Sequence, residues 1–117
     1  LSPSKPIFVV LCKMQNSFEL SIIIPLLNED ESIRPLFKWI VKALQGKVSS
    51  LEVIFIDDGS TDGSWEIIQT LAKEHNEVKA ISFTKNYGKS QALNAGFKAA
   101  KKKYVATFIY IFLPLCN

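Results

Sequence analysis

The chain has 117 residues, a length that suits one domain with a buried core. Hydrophobic residues make up 48% of it and charged residues 21%, which excludes a wholly disordered or collagen-like chain. The formal net charge is only +3, and lysines and acids are mixed along most of the sequence, so nucleic acid is not the expected partner.

The two cysteines, Cys12 and Cys116, lie near opposite ends, and their spacing matches neither a metal site nor a disulfide scaffold. We therefore expect a reducing, cytoplasmic setting. The apolar run at residues 7–11 is much shorter than the roughly 20 residues that a membrane-spanning helix requires, and no signal-peptide cleavage site follows it. The sequence predicts no transmembrane segment, and Met14 is interpreted as a natural start within an extension over residues 1–18.

A strand and a helix are predicted first. Residues 19–27 form a nearly continuous apolar, β-branched run, which is typical of a strand covered on both faces in a parallel sheet. Ser32 is predicted to cap the helix that follows, Pro35 falls in its first turn, and Gly46 ends it. Its apolar stripe is predicted to comprise Ile33, Leu36, Phe37, Ile40, Val41 and Leu44.

The strand–helix pattern then repeats. Residues 51–56 and 78–83 predict strands, residues 62–75 and 89–101 predict helices, and a fourth strand begins at Tyr104. The apolar faces of these two helices are predicted to comprise Trp65, Ile68, Leu71 and Ala72, and then Leu93, Gly96, Phe97 and Ala100. Such alternation predicts an α/β, Rossmann-like fold, a parallel sheet of about four strands with helices on both faces.

Two adjacent acids, Asp57 and Asp58, follow directly on the second predicted strand, with Gly59 and Ser60 behind them. Ligands of open parallel sheets bind at the carboxyl ends of the strands. A buried carboxylate there costs several kcal/mol unless it is paired or hydrogen-bonded, so the pair indicates a ligand with N–H or hydroxyl donors. The alternative is that these residues form turns and cap helices, and it stays open above all for Asp58 and Ser60.

Two common phosphate-binding patterns are absent. Neither G-x-x-x-x-G-K-[ST] nor G-x-G-x-x-G occurs in the chain, so neither a P-loop nucleotidase nor a dinucleotide dehydrogenase is indicated. Acids in place of a glycine-rich loop favour recognition of a base and ribose. A phosphoacceptor receiver domain also carries paired acids, but there they follow the first strand, whereas here they follow the second.

Three sequence blocks carry a family resemblance: Ser21-Ile-Ile-Ile-Pro-Leu-Leu-Asn-Glu, Ile56-Asp-Asp-Gly-Ser-Thr-Asp-Gly-Ser and Lys85-Asn-Tyr-Gly-Lys-Ser-Gln-Ala-Leu-Asn-Ala-Gly. Together they resemble the family 2 glycosyltransferases of GT-A fold. The third block is most similar to the branch that moves a hexose from a nucleotide sugar to polyprenyl (dolichyl or undecaprenyl) phosphate. The resemblance implies a truncated GT-A nucleotide-sugar-binding domain over residues 19–107, between the non-family extension 1–18 and a divergent apolar tail 108–117.

The resemblance also implies residue roles in a pocket for UDP- or GDP-hexose. Asp57 would accept a hydrogen bond from the base ring, Asp58 would lie close to the ribose, and Lys89 would supply a point charge for the diphosphate. No catalytic residue is assigned. The implied nucleotide-sugar-binding residues are Pro25, Asn28, Glu29, Asp57, Asp58, Asn86, Gly88 and Lys89.

The chain departs from the family after the fourth strand. Relatives carry an acidic D-x-D stretch there, which holds Mg²⁺ or Mn²⁺, but residues 108–117 contain no carboxylate side chain. We therefore expect this chain alone to hold no metal, and we interpret the departure as a truncated or frame-shifted reading frame. The implied activity is hexose transfer to an acceptor such as polyprenyl phosphate at the cytoplasmic face of the membrane, lost in this chain; the alternative is a non-catalytic nucleotide-binding or interaction fragment.

Overall fold

The computed structural model describes residues 19–107. The expectations for the extension 1–18 and the tail 108–117, with Cys12, Met14 and Cys116, lie outside the described residues. Strands and helices alternate as β1 (Glu19–Leu26), α1 (Ile33–Leu44), β2 (Ser50–Asp57), α2 (Ser64–Glu74), β3 (Val78–Ser82), α3 (Lys89–Ala99) and β4 (Tyr104–Thr107).

The strands form a single parallel sheet in the order β3-β2-β1-β4. The register pairs Leu26 of β1 with Asp57 of β2, and Asp57 in turn with Ser82 of β3. Three neighbouring strands therefore end at the same level. The predicted α/β fold with about four parallel strands is confirmed.

Helices cover both faces of the sheet. Ile22, Ile24 and Phe55 point toward α1 and α2, whereas Ile23 and Ile54 point toward α3. Side chains on both faces of the sheet are buried. The sequences of β1 and β2 are therefore continuous apolar runs rather than alternating apolar and polar residues. None of the three described helices has the length and hydrophobicity that crossing a bilayer requires.

The predicted apolar stripes need two corrections. Val41 of α1 is 39% exposed and Phe97 of α3 is 53% exposed, so neither belongs to the core. On α3 the sheet is contacted by Ala92, which the predicted face omitted, and by Gly96, which it included; a Cβ added to Gly96 would lie 2.3 Å from Cγ2 of Ile23. The helix backbone approaches the sheet too closely for a large side chain, and Phe97 points away.

The two ends of α1 differ in how far they match the prediction. Ser32 occupies the N-cap position, but its hydroxyl donates to Oε1 of Glu29 rather than capping the helix, so the predicted side-chain cap is wrong. Pro35 lies in the first turn as predicted. Gly46 follows the last helical turn with a φ of 78°, which confirms it as the stop.

A buried polar cluster lies at the opposite edge of the sheet, where the strands begin. Glu52 of β2 is 5% exposed and accepts hydrogen bonds from the Ser21 hydroxyl at 2.7 Å and the Lys101 N–H at 3.0 Å. Lys79 of β3 forms an ion pair with the same carboxylate. Burial raises the pKa of Glu52, but the hydrogen bonds from Lys79, Ser21 and Lys101 outweigh it and leave the pKa below its ordinary value.

The same cluster explains why α3 ends at Ala99 rather than at the predicted Lys101. The N–H of Lys101 donates to Glu52 and the N–H of Lys102 donates to Oγ of Ser21 at 3.2 Å, so neither continues the helix. We call this group, Ser21, Glu52, Lys79 and the N–H groups of residues 101–102, the amino-edge cluster.

Candidate functional site

Three loops meet at the carboxyl edge of the sheet: the first loop (residues 27–32) after β1, the second loop (58–63) after β2 and the third loop (83–88) after β3. Since these strands are adjacent and parallel, their carboxyl ends share one edge. The predicted site residues lie in these loops or at the adjoining ends of β1, β2 and α3: Pro25, Asn28, Glu29, Asp57, Asp58, Asn86, Gly88 and Lys89.

The first and second loops hold each other by hydrogen bonds in both directions. Oγ of Ser60 accepts the N–H of Asn28 at 2.8 Å, and Oδ1 of Asn28 accepts the N–H of Thr61 at 2.8 Å. Asn28 has a φ of 54°, a left-handed conformation that Asn tolerates better than most residues. The N–H of Glu29 donates to Oγ of Ser64 at 2.9 Å. Two predicted site residues are thus fixed to the second loop and the start of α2.

Two further aspartates, Asp30 and Asp62, which were not among the predicted site residues, extend this connection. Oδ2 of Asp62 accepts the N–H of Asp30 at 3.3 Å, and Oδ2 of Asp30 accepts the N–H of Gly63 at 3.3 Å. Oδ1 of Asp62 also accepts the N–H of Ser64. Burial raises the pKa of Asp62, but the hydrogen bonds from Ser64 and Asp30 outweigh it and lower the pKa. The sequence signal that could have identified Asp62 was an acid at the start of a predicted helix.

Asp57 ends β2 with a buried side chain that is 1% exposed. Its Oδ1 accepts the N–H of Ser60 at 2.8 Å, and its backbone carbonyl accepts the N–H of Phe83 at 2.8 Å. Among residues 19–107, Ser60 is the only hydrogen-bond donor to this carboxylate. One carboxylate oxygen is therefore held by the fold, and the other is left without a donor from the described part of the chain.

Asp58 is bonded quite differently, although it is the next residue and is only 6% exposed. Its Oδ1 accepts the N–H of Tyr87 at 2.8 Å and its Oδ2 accepts the N–H of Gly88 at 3.0 Å. Both oxygens are therefore engaged with the third loop. The turn or helix-cap role that the sequence left open for Asp58 is not what its side chain does, because the carboxylate joins the second loop to the third.

Gly59 brings the second and third loops into close contact. Its φ is +85°, and an added Cβ would lie 2.5 Å from the carbonyl carbon of Lys85 and 2.6 Å from the nitrogen of Asn86. Only glycine allows both this conformation and this approach. The sequence placed Gly59 in a turn and did not reveal that it faces another loop.

The remaining predicted site residues differ in exposure. Pro25 is buried inside β1, opposite Ile56, whereas Asn86 and Lys89 are exposed and Gly88 is half-buried with a φ of 100°. Within residues 19–107, no three His, Cys, Asp or Glu side chains are grouped so that they could hold a metal ion. The described residues therefore offer acceptors and a cation at this edge, but no metal site.

Comparison with known sequences gives one family over most of the chain. Residues 21–108 match the family described as Glycosyl transferase family 2. The chain is 37% identical over 90 residues to an undecaprenyl-phosphate 4-deoxy-4-formamido-L-arabinose transferase of Proteus mirabilis, covering 76% of this chain and 28% of that protein. It is 38% identical over 82 residues to a bactoprenol glucosyl transferase of Shigella phage SfV, covering 70% and 27%.

Solved structures share the fold. The mannosyltransferase PcManGT from Pyrobaculum calidifontis, solved in complex with GDP-Man and Mn²⁺, superposes with a TM-score of 0.64 at 26% identity, over 80% of this chain and 27% of that one. Staphylococcus aureus TarS superposes with a TM-score of 0.63 at 24% identity, over 77% of this chain and 16% of TarS. The chain spans just over a quarter of the length of the curated relatives named above.

Proposed function

The chain belongs to the family 2 glycosyltransferases, and from that premise we propose that the carboxyl edge of its sheet binds the nucleotide of a nucleotide sugar. One observation carries this proposal: the buried carboxylate of Asp57 has one oxygen held by Ser60 and no donor from residues 19–107 for the other. No buried side-chain nitrogen or oxygen atom among residues 19–107 lacks a hydrogen-bond partner, so the second oxygen of Asp57 is accessible from outside the fold, and a base ring N–H could donate to it.

The other site residues complete the proposed pocket around Asp57. Asn28 and Glu29 would flank the base from the first loop, and Pro25 shapes the end of β1 below it. Asn86 and Gly88 would close the pocket from the third loop, and the ammonium group of Lys89 would meet the diphosphate as a point charge. Asp58 is also one of the proposed nucleotide-sugar-binding residues and would lie close to the ribose.

For the whole protein we propose transfer of a hexose from UDP- or GDP-hexose to a polyprenyl phosphate. The names of the relatives support the lipid acceptor, because they describe transferases for undecaprenyl phosphate and bactoprenol. The glucosyl transferase and the mannosyltransferase solved with GDP-Man support a nucleotide-linked hexose as the donor. A phosphate oxygen of the acceptor would attack the anomeric carbon, and the bond from that carbon to the nucleoside diphosphate would break. The lipid acceptor would place this reaction at the cytoplasmic face of a membrane.

We propose a divalent ion, Mg²⁺ or Mn²⁺, for the whole protein. The mannosyltransferase was solved with Mn²⁺, and such an ion would neutralise the leaving diphosphate. Within residues 19–107, no three His, Cys, Asp or Glu side chains are grouped so that they could hold such an ion. We therefore assign these residues no role in metal binding. The second candidate function is a non-catalytic nucleotide-binding or interaction fragment, and the lack of carboxylate side chains in residues 108–117 favours it.

Isothermal titration of the 117-residue chain with UDP, GDP and their hexose conjugates, with and without Mn²⁺, tests the proposed site. Asp57→Asn is the sharpest variant, because its amide oxygen can still accept from Ser60 while its NH₂ group meets the ligand donor. We expect it to weaken nucleotide binding about 10- to 100-fold. Glu31→Gln, which removes an exposed charge of the first loop, is the matched control and should leave binding unchanged. Equal affinity of Asp57→Asn and the unsubstituted chain would remove Asp57 from the site.

A further inference from the structure

The hydrogen bonds of Asp58 connect two loops that are far apart in sequence. The carboxylate sits in the second loop, and the two N–H groups that it accepts, from Tyr87 and Gly88, lie 29 and 30 residues further along the chain. Among the hydrogen bonds between described residues, these are the ones that tie residues 84–88 to the second loop. The position of the third loop therefore depends on Asp58.

These two bonds are of the strong kind. A carboxylate that accepts two N–H groups in a buried setting forms charge-assisted hydrogen bonds, and removing one partner leaves the other unsatisfied. Gly59 adds a second constraint, because its Cα lies against the backbone of Lys85 and Asn86. Beyond Phe83, whose N–H donates to the Asp57 carbonyl, the third loop is thus held at two neighbouring points, by hydrogen bonds to Asp58 and by close approach to Gly59.

The fixed segment leads directly into residues of the proposed pocket. Gly88 occupies the N-cap position of α3, and Lys89 is the first residue of that helix. Asn86 immediately precedes Tyr87, whose ring packs edge-on against Phe83 at 5.6 Å between centroids. Asp58 consequently determines where Asn86 and Lys89 stand relative to Asp57.

We propose that Asp58 is a positioning residue, whose carboxylate holds the third loop so that Asn86 and Lys89 meet the diphosphate of the nucleotide sugar. This inference rests on the proposed function and separates the two adjacent acids by role. One oxygen of Asp57 would accept a hydrogen bond from the ligand, whereas both oxygens of Asp58 accept hydrogen bonds from Tyr87 and Gly88. The position of Asp58 beside the ribose would then be incidental to binding.

A titration followed by NMR on the ¹⁵N-labelled 117-residue chain tests this assignment with Asp58→Asn. The substituted amide can accept only one of the two N–H groups, so at least one of the Tyr87 and Gly88 N–H groups should lose protection from exchange while core amides keep theirs. We expect affinity for UDP or GDP to fall about 10-fold or more, and affinity for uridine or guanosine to change less than about 2-fold. Glu31→Gln should change none of these readouts.

An equal loss of nucleoside and nucleoside diphosphate affinity would show direct contact with the ribose and would overturn the positioning role. A double-mutant cycle against the combined Asn86→Ala/Lys89→Ala variant gives a second test, because the cost of Asp58→Asn should largely vanish once both residues that it positions are absent. Additive costs would overturn the proposal as well. If the unsubstituted chain binds no nucleotide, the proposed function fails. In that case the exchange measurement still tests the loop: unchanged protection of the Tyr87 and Gly88 N–H groups in Asp58→Asn would show that Asp58 does not hold the third loop.

Discussion

Two buried carboxylates, Glu52 at the amino edge of the sheet and Asp57 at the carboxyl edge, differ in how many hydrogen-bond donors they receive. At the amino edge, Glu52 receives hydrogen bonds from Ser21 and Lys101 and an ion pair from Lys79. At the carboxyl edge, Asp57 receives one hydrogen bond, from Ser60, from the described part of the chain. A buried acid whose oxygens are all bonded within the chain stabilises the fold, whereas an acid with an unbonded, accessible oxygen can accept a hydrogen bond from a ligand.

The largest expected effect comes from comparing two glycines, one at each edge. Gly59→Ala would place a Cβ 2.5 Å from the backbone of Lys85 at a φ of +85°, so we expect it to lower the free energy of unfolding by about 3 kcal/mol. Gly46→Ala has a similar φ of +78° but nothing within 4 Å, and should cost about 1 kcal/mol. Urea unfolding followed by circular dichroism measures both.

The difference between the two variants isolates the contact between the second and third loops. Gly59→Ala should also weaken nucleotide binding in the molecules that remain folded, while Gly46→Ala should not. Equal destabilisation by the two substitutions would mean that the close approach at Gly59 carries no energetic weight.

A smaller loss is expected when the amino-edge cluster is opened. Glu52→Ala leaves the Ser21 hydroxyl and the Lys101 N–H without their acceptor and Lys79 without its ion pair, so we expect a loss of about 2 kcal/mol. Nucleotide affinity should be unchanged, because the cluster lies at the other edge. The control is Glu74→Ala, which breaks a half-exposed pair with Arg34 at 3.9 Å and should cost less than about 1 kcal/mol. A change in nucleotide affinity in Glu52→Ala would contradict the separation of the two edges.

The smallest effect concerns acid. The pKa of Glu52 is lowered in the folded state, so its contribution to stability is present above the ordinary glutamate value of about 4.3 and is lost as pH falls through the folded value. Asp62 behaves in the same way from its own lowered pKa. Urea midpoints measured from pH 7 down to pH 3 should fall less steeply in Glu52→Gln than in the unsubstituted chain. Parallel curves would show that the amino-edge cluster does not titrate with folding.

The sequence was sufficient for the order and type of the elements. Apolar β-branched runs specified β1 and β2, and the spacing of Leu36, Phe37 and Ile40 specified α1, because both signals depend on local periodicity. The acidic pair after β2 was likewise correctly placed at the carboxyl edge. The roles of the site residues stay predictions.

Features that depend on a distant partner could not be read from the sequence. Phe97 fits a helical stripe, but the close approach of Gly96 to Ile23 excludes it from the core, and this approach is a property of packing. Glu52 looks like an ordinary strand acid until β3 and the end of α3 bring their donors to it. The direction of the Asp58 side chain likewise follows from the third loop rather than from its own turn.

Because Asp58 accepts hydrogen bonds from the N–H groups of Tyr87 and Gly88, the three-loop arrangement can form only after these two residues have been synthesised. Asp58 and Gly88 are separated by 30 residues in the sequence. Asp57 and Asp58 therefore leave the ribosome well before the N–H groups of Tyr87 and Gly88 that donate to Asp58. A nascent chain that has folded only β1, α1 and β2 therefore carries Asp57 without the third loop. On the proposed function, nucleotide would have no assembled pocket to bind until residue 88 has emerged, so it would stabilise the finished sheet and would not assist the folding of the first strands.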